Sequence, residues 1–143
     1  MLFAYPVTLT PDKDGSVIAE FPDVPEALTN GRSAADAATW AQDAMVVALS
    51  AYIAAGRDIP STSKARKGQR LVPVPPLAAA KLAIYQAMRE QKVTQLALAD
   101  RLKIDGRQVR RLLDLDHNST LPQLAAALEA LGKRMVVDIR DAA

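Results

Sequence analysis

Apolar positions alternate along residues 2–21 and then recur at spacings of three and four, so the pattern changes from strand to helix early in the chain. Residues 2–9 (LFAYPVTL) place Phe3, Tyr5, Val7 and Leu9 on one face of a strand. Pro6 has no N–H for a ladder, which predicts an edge strand or a local irregularity. Asp14-Gly15 is a hairpin turn signal. A second strand follows, with Val17, Ala19 and Phe21 alternating against Ile18 and Glu20. After the proline-rich PDVPEA loop, ALTN reads as a short third strand closed by Gly31. Ser33 is an N-cap, with Asp36 three residues on, and predicts a helix to about Ala55. Its apolar side carries Ala37, Ala41, Ala44, Met45, Ala48, Leu49 and Tyr52. The alanines let it lie close to a sheet, and Gly56 suits the position after the last turn.

DIPSTSKARKGQ is polar and basic and reads as a loop or linker. RLVPV is a candidate fourth strand over 70–74, free to rejoin the first sheet. Pro75-Pro76 mark a boundary, because that chain neither continues a strand nor sits inside a helix. The periodicity then predicts a helix from Leu77 to Glu90, a second over Gln95–Leu102 capped by Thr94, and a third from the Asp105 cap to about Leu113. Thr120, with Gln123 three residues on, caps a fourth that ends before Gly132. Last, RMVVDIR alternates as a strand. The expected organisation is a domain over 1–63, a basic, proline-rich linker over 64–76, and a helical domain over 77–143. The fold class is α+β.

Counting from Gln95 as the first position of a helix-turn-helix, Ala99 falls fifth, where only a small side chain lets two helices cross. Leu98, Leu102, Ile104, Val109 and Leu112 fall on the positions such a motif buries. Lys103 stands at the turn position where glycine is usual, and would need a positive φ there. The exposed face of the following helix carries Arg107, Gln108, Arg110 and Arg111. Arginine matches the guanine edge bidentately, and glutamine matches adenine. Backbone amides at the starts of these two helices, with Thr94 and Gln95, are placed for phosphates, and Asp105, which opens the second of them, is counted among the DNA-binding residues. The bundle could also present these cations as a merely solvated face, but the motif register favours double-stranded DNA. The closing strand adds a second expectation. One strand after a helical domain has no sheet to join, so Met135, Val136, Val137 and Ile139 are expected to pair with a second copy. Such a homodimer, with a tetramer as the larger alternative, would set two helices about one DNA turn apart. Pairing within its own chain is the alternative.

Charge sharpens the division. Residues 1–63 carry a net charge of −5, residues 64–76 of +4, and residues 77–143 of +3. An acidic front and a basic back are suited to different partners. There is no cysteine, which excludes disulfides and thiolate metal sites and fits a reducing cytoplasm. No apolar run approaches the ~20 residues of a membrane span. MLFAYPVTLTPDKDG lacks a basic n-region, so no secretory leader is expected. No P-loop, dinucleotide motif, metal-ligand spacing or nucleophile elbow occurs. The one histidine, His117, falls in a loop between helices. No catalytic residue, metal or cofactor is therefore expected, and the front half reads as a binding domain, not an enzyme.

The strand, Asp-Gly hairpin, strand ending in EFPDVPEALTNG and helix opening on SAADAATWAQDAM resemble the HicB antitoxins. Their early strands end in an FPD-P-G loop before a T-G-T-EA helix start. Pro25-Glu26-Ala27 stands where many members have Pro-Gly-Cys. The back half resembles the variant with an XRE-like helix-turn-helix. The resemblance implies a partial RNase H-like β-β-β-α-β front domain without that fold's catalytic carboxylates. It also implies binding and neutralisation of a HicA-type toxin, a small basic mRNA-cleaving ribonuclease, and repression of the chain's own operon through operator DNA. The acidic front would cover a basic surface, with Asp12, Asp14, Glu20, Asp23 and Glu26 as candidate toxin-binding residues. Two other readings remain open at this point. One is a stand-alone regulator whose front domain senses a small ligand. The other is a nuclease, which needs at least two strand carboxylates where only Glu20 is found.

Overall fold

The computed structural model describes residues 2–142. Its elements are β1 (Ala4–Pro11), β2 (Val17–Glu20), β3 (Leu28–Gly31), α1 (Ala34–Ala54), β4 (Arg70–Pro73), α2 (Pro76–Gln91), α3 (Gln95–Leu102), α4 (Gly106–Leu113) and α5 (Leu121–Ala130). They fall into two compact units divided between Ala79 and Ala80. No helix among the described residues is long and apolar enough to cross a membrane.

The first unit is a four-stranded antiparallel sheet in the order β3-β2-β1-β4, with α1 on one face. The candidate strand over 70–74, at the end of the stretch expected to be linker, forms as β4. Arg70–Pro73 pairs with β1, and only the segment before it runs without regular structure. Pro6 led to the expectation of an edge strand or a local irregularity; β1 lies inside the sheet, and the irregularity is what is found. The reason is a change of partner along the strand: residues 4–7 pair with β4, and residues 8–11 pair with β2. The Val74 amide donates to the Phe3 carbonyl, 2.8 Å away, which makes 3↔74 a bonded pair. Alternation along the ladder then makes Pro6↔Leu71 a non-bonded one. The proline nitrogen therefore faces away from β4, on a side where β1 has no partner, and no ladder bond is lost.

α1 starts at an N-cap as expected: the Ser33 hydroxyl accepts from the Asp36 amide at 3.1 Å. Its inner face buries Ala37, Ala41, Met45, Ala48, Leu49 and Tyr52 against Tyr5, Val7, Ala19 and Phe21. The approach is closest at Gly31, where a β-carbon would lie 2.4 Å from the Ala37 backbone nitrogen. Glycine is required there by space alone, since backbone cannot give way as a flexible side chain can.

The second unit is helical around Leu82, Ile84, Leu98, Val109, Leu112, Leu124 and Leu131. Pro76, expected to lie outside any helix, is the first residue of α2, where the missing N–H would have been unsatisfied anyway. The strand expected over residues 134–140 is not formed. Val136, Val137 and Ile139 are exposed and belong to no ladder, while Met135 is half-buried. A strand needs a neighbour to supply its hydrogen bonds, and the chain's own sheet recruits β4 instead.

The Tyr5 hydroxyl donates to the Pro60 carbonyl at 2.7 Å, tying the segment after α1 to the sheet. Burial, with smaller contributions from the charges of Asp23 and Tyr52, pushes its pKa from 10.0 up to about 12. The unfolded chain's tyrosine ionises first, so this stabilisation is complete below pH 10 and is lost as the pH rises through about 12. Tyr5→Phe is expected to cost about 1 kcal/mol at neutral pH. It should also flatten the alkaline limb of a urea-unfolding series, and an unchanged limb would place the loss on another group.

Candidate nucleic-acid interface

α3 and α4 are eight-residue helices joined by a tight turn. Each is closed by local chemistry that the sequence announces. The Thr94 hydroxyl accepts from the Ala97 amide at 3.1 Å. At the other end of α3, Lys103 takes the left-handed conformation, φ 55° and ψ 45°. The expected positive φ at a non-glycine turn residue is therefore present. The turn then brings the Ile104 amide to the Ala99 carbonyl at 3.1 Å. Asp105 opens α4 with a full capping box: its carboxylate accepts from the Gln108 amide at 2.8 Å, and its own amide donates to Gln108 Oε1 at 3.1 Å.

The two faces of α4 separate cleanly. Val109, Leu112 and Leu113 are buried, with Leu98 and Ala99 of α3 also in the core. Arg107, Gln108, Arg110 and Arg111 are exposed, as are Thr94, Gln95 and Asp105. The structure thus brings the residues singled out for DNA onto adjacent helix ends and one helix face. Gln108 is partly committed, because its Oε1 serves the cap. Only its amide NH₂ is left to face outward, so the two-bond match to adenine is not available in this conformation. Asp105 is likewise consumed by its cap and acts on the local backbone. Beside the exposed face lies a cavity of about 190 Å³ between α4 and α5, lined in part by Arg111, His117, Ser119 and Gln123. His117 is half-buried in the loop expected for it.

The acidic residues of the first unit do not form one patch. Asp12 and Asp14 sit in the β1–β2 hairpin, and Glu20 ends β2 on the opposite side of that strand's length. Asp14 accepts from the Ser16 hydroxyl at 2.6 Å and from its amide at 2.9 Å, which holds its pKa below the usual carboxylate range. Asp23 accepts from the Ser63 hydroxyl and amide, pinning the segment after α1. Glu26 accepts from the Tyr52 hydroxyl at 2.7 Å, the main cause of its lowered pKa, with Arg57 3.5 Å away. Arg57 in turn lies over the Tyr52 ring at 4.1 Å. Asp23 and Glu26 are therefore tied into the first unit's own structure, while Asp12, Asp14 and Glu20 point to solvent.

An exposed apolar surface went unnoticed in the sequence. Glu20 lies opposite Leu28 in the sheet register, and Pro6 opposite Leu71. These residues share the sheet face turned away from α1, with Leu28 60% and Leu71 48% exposed. The only cue to this face was Ile18, Leu28 and Leu71 falling on the alternate positions of their strands.

A family model for the HicB-like antitoxins of bacterial toxin–antitoxin systems matches residues 4–83. The chain belongs to that family. It is 34% identical to Antitoxin HicB 1 of Photorhabdus laumondii over 135 residues, covering 94% of this chain and 86% of that one. Against Antitoxin HicB of Escherichia coli K12 it is 34% identical over 131 residues, covering 92% and 95%. Antitoxin HicB 2 of P. laumondii is 37% identical over 131 residues, 92% of each chain. These matches run well past the family model into the helical half of the chain, and the relatives that it matches there are named antitoxins.

Proposed function

We propose that this HicB-like chain neutralises a HicA-type mRNA-cleaving ribonuclease through its first unit and represses its own operon through its second. In this reading α3 and α4 form an XRE-like helix-turn-helix, and α4 enters the major groove of operator DNA. The first unit is a partial RNase H-like fold that binds and does not catalyse, and the protein acts in the cytoplasm. The observation that carries the reading is α4 itself. This eight-residue helix is buried on Val109, Leu112 and Leu113 and offers Arg107, Arg110 and Arg111 on its open side. Guanidinium groups on a rigid helix beside two capped helix starts suit both base edges and phosphates. Toxin binding rests on the family and on the −5 charge of residues 1–63. Among the candidate acids, Glu20 is best placed, since it lies opposite exposed Leu28 on the sheet face that also carries Leu71, and apolar surface around a charge is common in protein contacts.

The exposed Val136, Val137 and Ile139 support pairing of the C-terminal segment with a second copy. In sedimentation experiments the intact chain is expected to run as a dimer or larger assembly, and Ile139→Lys to run as a monomer. A variant that stays dimeric would locate the interface elsewhere.

Replacing Arg107, Arg110 and Arg111 together with alanine should abolish operator binding in a gel-shift assay, each base-reading arginine contributing about 1–3 kcal/mol. Rescue of cells from the co-expressed toxin should be retained. A triple variant that still shifts the operator normally would remove α4 from the interface.

A further inference from the structure

Lys81, on α2, is the one fully buried charged side chain among the described residues. Its Nζ donates to the Arg111 carbonyl at 2.6 Å and to the Ser119 hydroxyl at 2.7 Å. Both acceptors are neutral oxygens, yet a buried cation carries a desolvation cost that an apolar side chain of the same size would avoid. Burial accordingly lowers the Lys81 pKa below the ordinary lysine value of 10.5, against a smaller opposing effect of the Asp114 charge. Stability alone does not account for a lysine here.

The position of its two partners supplies a reason. Arg111 lies in the last turn of α4, where carbonyls have no acceptor role left within the helix. Its carbonyl receives the Asp114 amide at 3.3 Å, where the chain leaves the helix at φ −86° and ψ 110°, and Lys81 supplies a second, shorter bond. A positive group at a helix C-terminus also opposes the helix dipole. Ser119 immediately precedes Thr120, the N-cap of α5. One amino group thus joins the end of α4 to the start of α5, across the loop that carries His117. Arg110 and Arg111 both belong to the turn that is held.

We infer that Lys81 is a positioning residue for DNA recognition: by bonding the Arg111 carbonyl and the Ser119 hydroxyl it fixes the C-terminal end of α4, and with it the direction in which Arg110 and Arg111 project. This rests on the DNA-binding role proposed for α4. Lys81 touches no nucleic acid, being wholly inside, so the surface charge that attracts phosphates does not depend on it.

The test uses the full-length protein and its own promoter duplex, beside a random-sequence duplex. Lys81→Met is expected to remain folded, to lose about tenfold in operator affinity, and to keep its affinity for random DNA. Lys81→Gln, which retains a donor for the Arg111 carbonyl, should recover part of the operator affinity. Ser119→Ala removes one of the two bonds and should give a smaller loss in the same direction, and it carries the test if Lys81→Met does not fold. Operator affinity unchanged in both Lys81→Met and Ser119→Ala would overturn the inference while leaving the DNA-binding role intact. So would a loss shared equally by random DNA, or one that Lys81→Gln fails to restore. A wild-type protein that does not bind its promoter would overturn both, and is distinguished by that control.

Discussion

An eight-residue helix bearing three arginines cannot sustain itself in water, because helix nucleation costs more than so few backbone bonds return. α4 exists through what surrounds it. Burial of Val109, Leu112 and Leu113 contributes about 1.5–3 kcal/mol per side chain, far more than any exposed charge on the same helix could. Both ends are then satisfied: the Asp105–Gln108 box supplies acceptors at the start, and Lys81 supplies a donor at the finish. α3 is equally short and α5 has ten residues, and both are closed by the same economy of Thr94 and Thr120 caps. Arg101 adds a bond to the Ala130 carbonyl at the end of α5, and Gln91 one to the Leu131 carbonyl just beyond it. A rigid arginine face is the product of these constraints, and it is rigidity that separates a base-reading surface from a merely attractive one.

The first unit meets a different constraint. Its sheet must accept a long, alanine-lined helix at close range, which Gly31 permits, and must absorb Pro6 and Pro73, which the partner change along β1 and the edge position of β4 permit. Asp23 and Glu26 are spent on that architecture, holding Ser63, Tyr52 and Arg57. The negative charge available to a partner is therefore smaller than the net count implies, and it is joined on the sheet's open face by leucines. A HicB-like antitoxin facing a basic protein would use both: charge to steer the encounter, and apolar area to retain it.

Much of this was legible in the residues. The caps at Ser33, Thr94, Asp105 and Thr120 located four helix starts, because capping is local and each acceptor lies three residues from its donor. Burial of Leu98, Val109 and Leu112 followed from helical spacing for the same reason, whereas Leu102 and Ile104, expected with them, are half-buried. What depends on distant partners was not readable. RLVPV is legible as a strand candidate from its composition, but its place beside β1 is set only by pairing with residues 4–7, more than 60 positions earlier. Asp23 and Glu26 look like free loop acids, since their partners lie 40 and 26 residues away. Lys81 is the sharpest case: a lysine amid alanines on an amphipathic helix reads as solvent-facing, and its role rests on oxygens 30 and 38 residues later. The C-terminal alternation over 134–140 marks strand-forming residues correctly in kind, but a ladder takes two strands, and one chain provides none to match it.

The central claim is a division of labour, with DNA on the helical unit and the toxin on the sheet unit. Backbone amide NMR of the full-length protein tests it most directly, by titration first with its promoter duplex and then with a HicA-type toxin. The account predicts that DNA shifts resonances within residues 94–119 and leaves residues 4–31 unmoved, and that the toxin does the reverse. Promoter DNA that perturbs the sheet and passes over Arg107, Arg110 and Arg111 would contradict it.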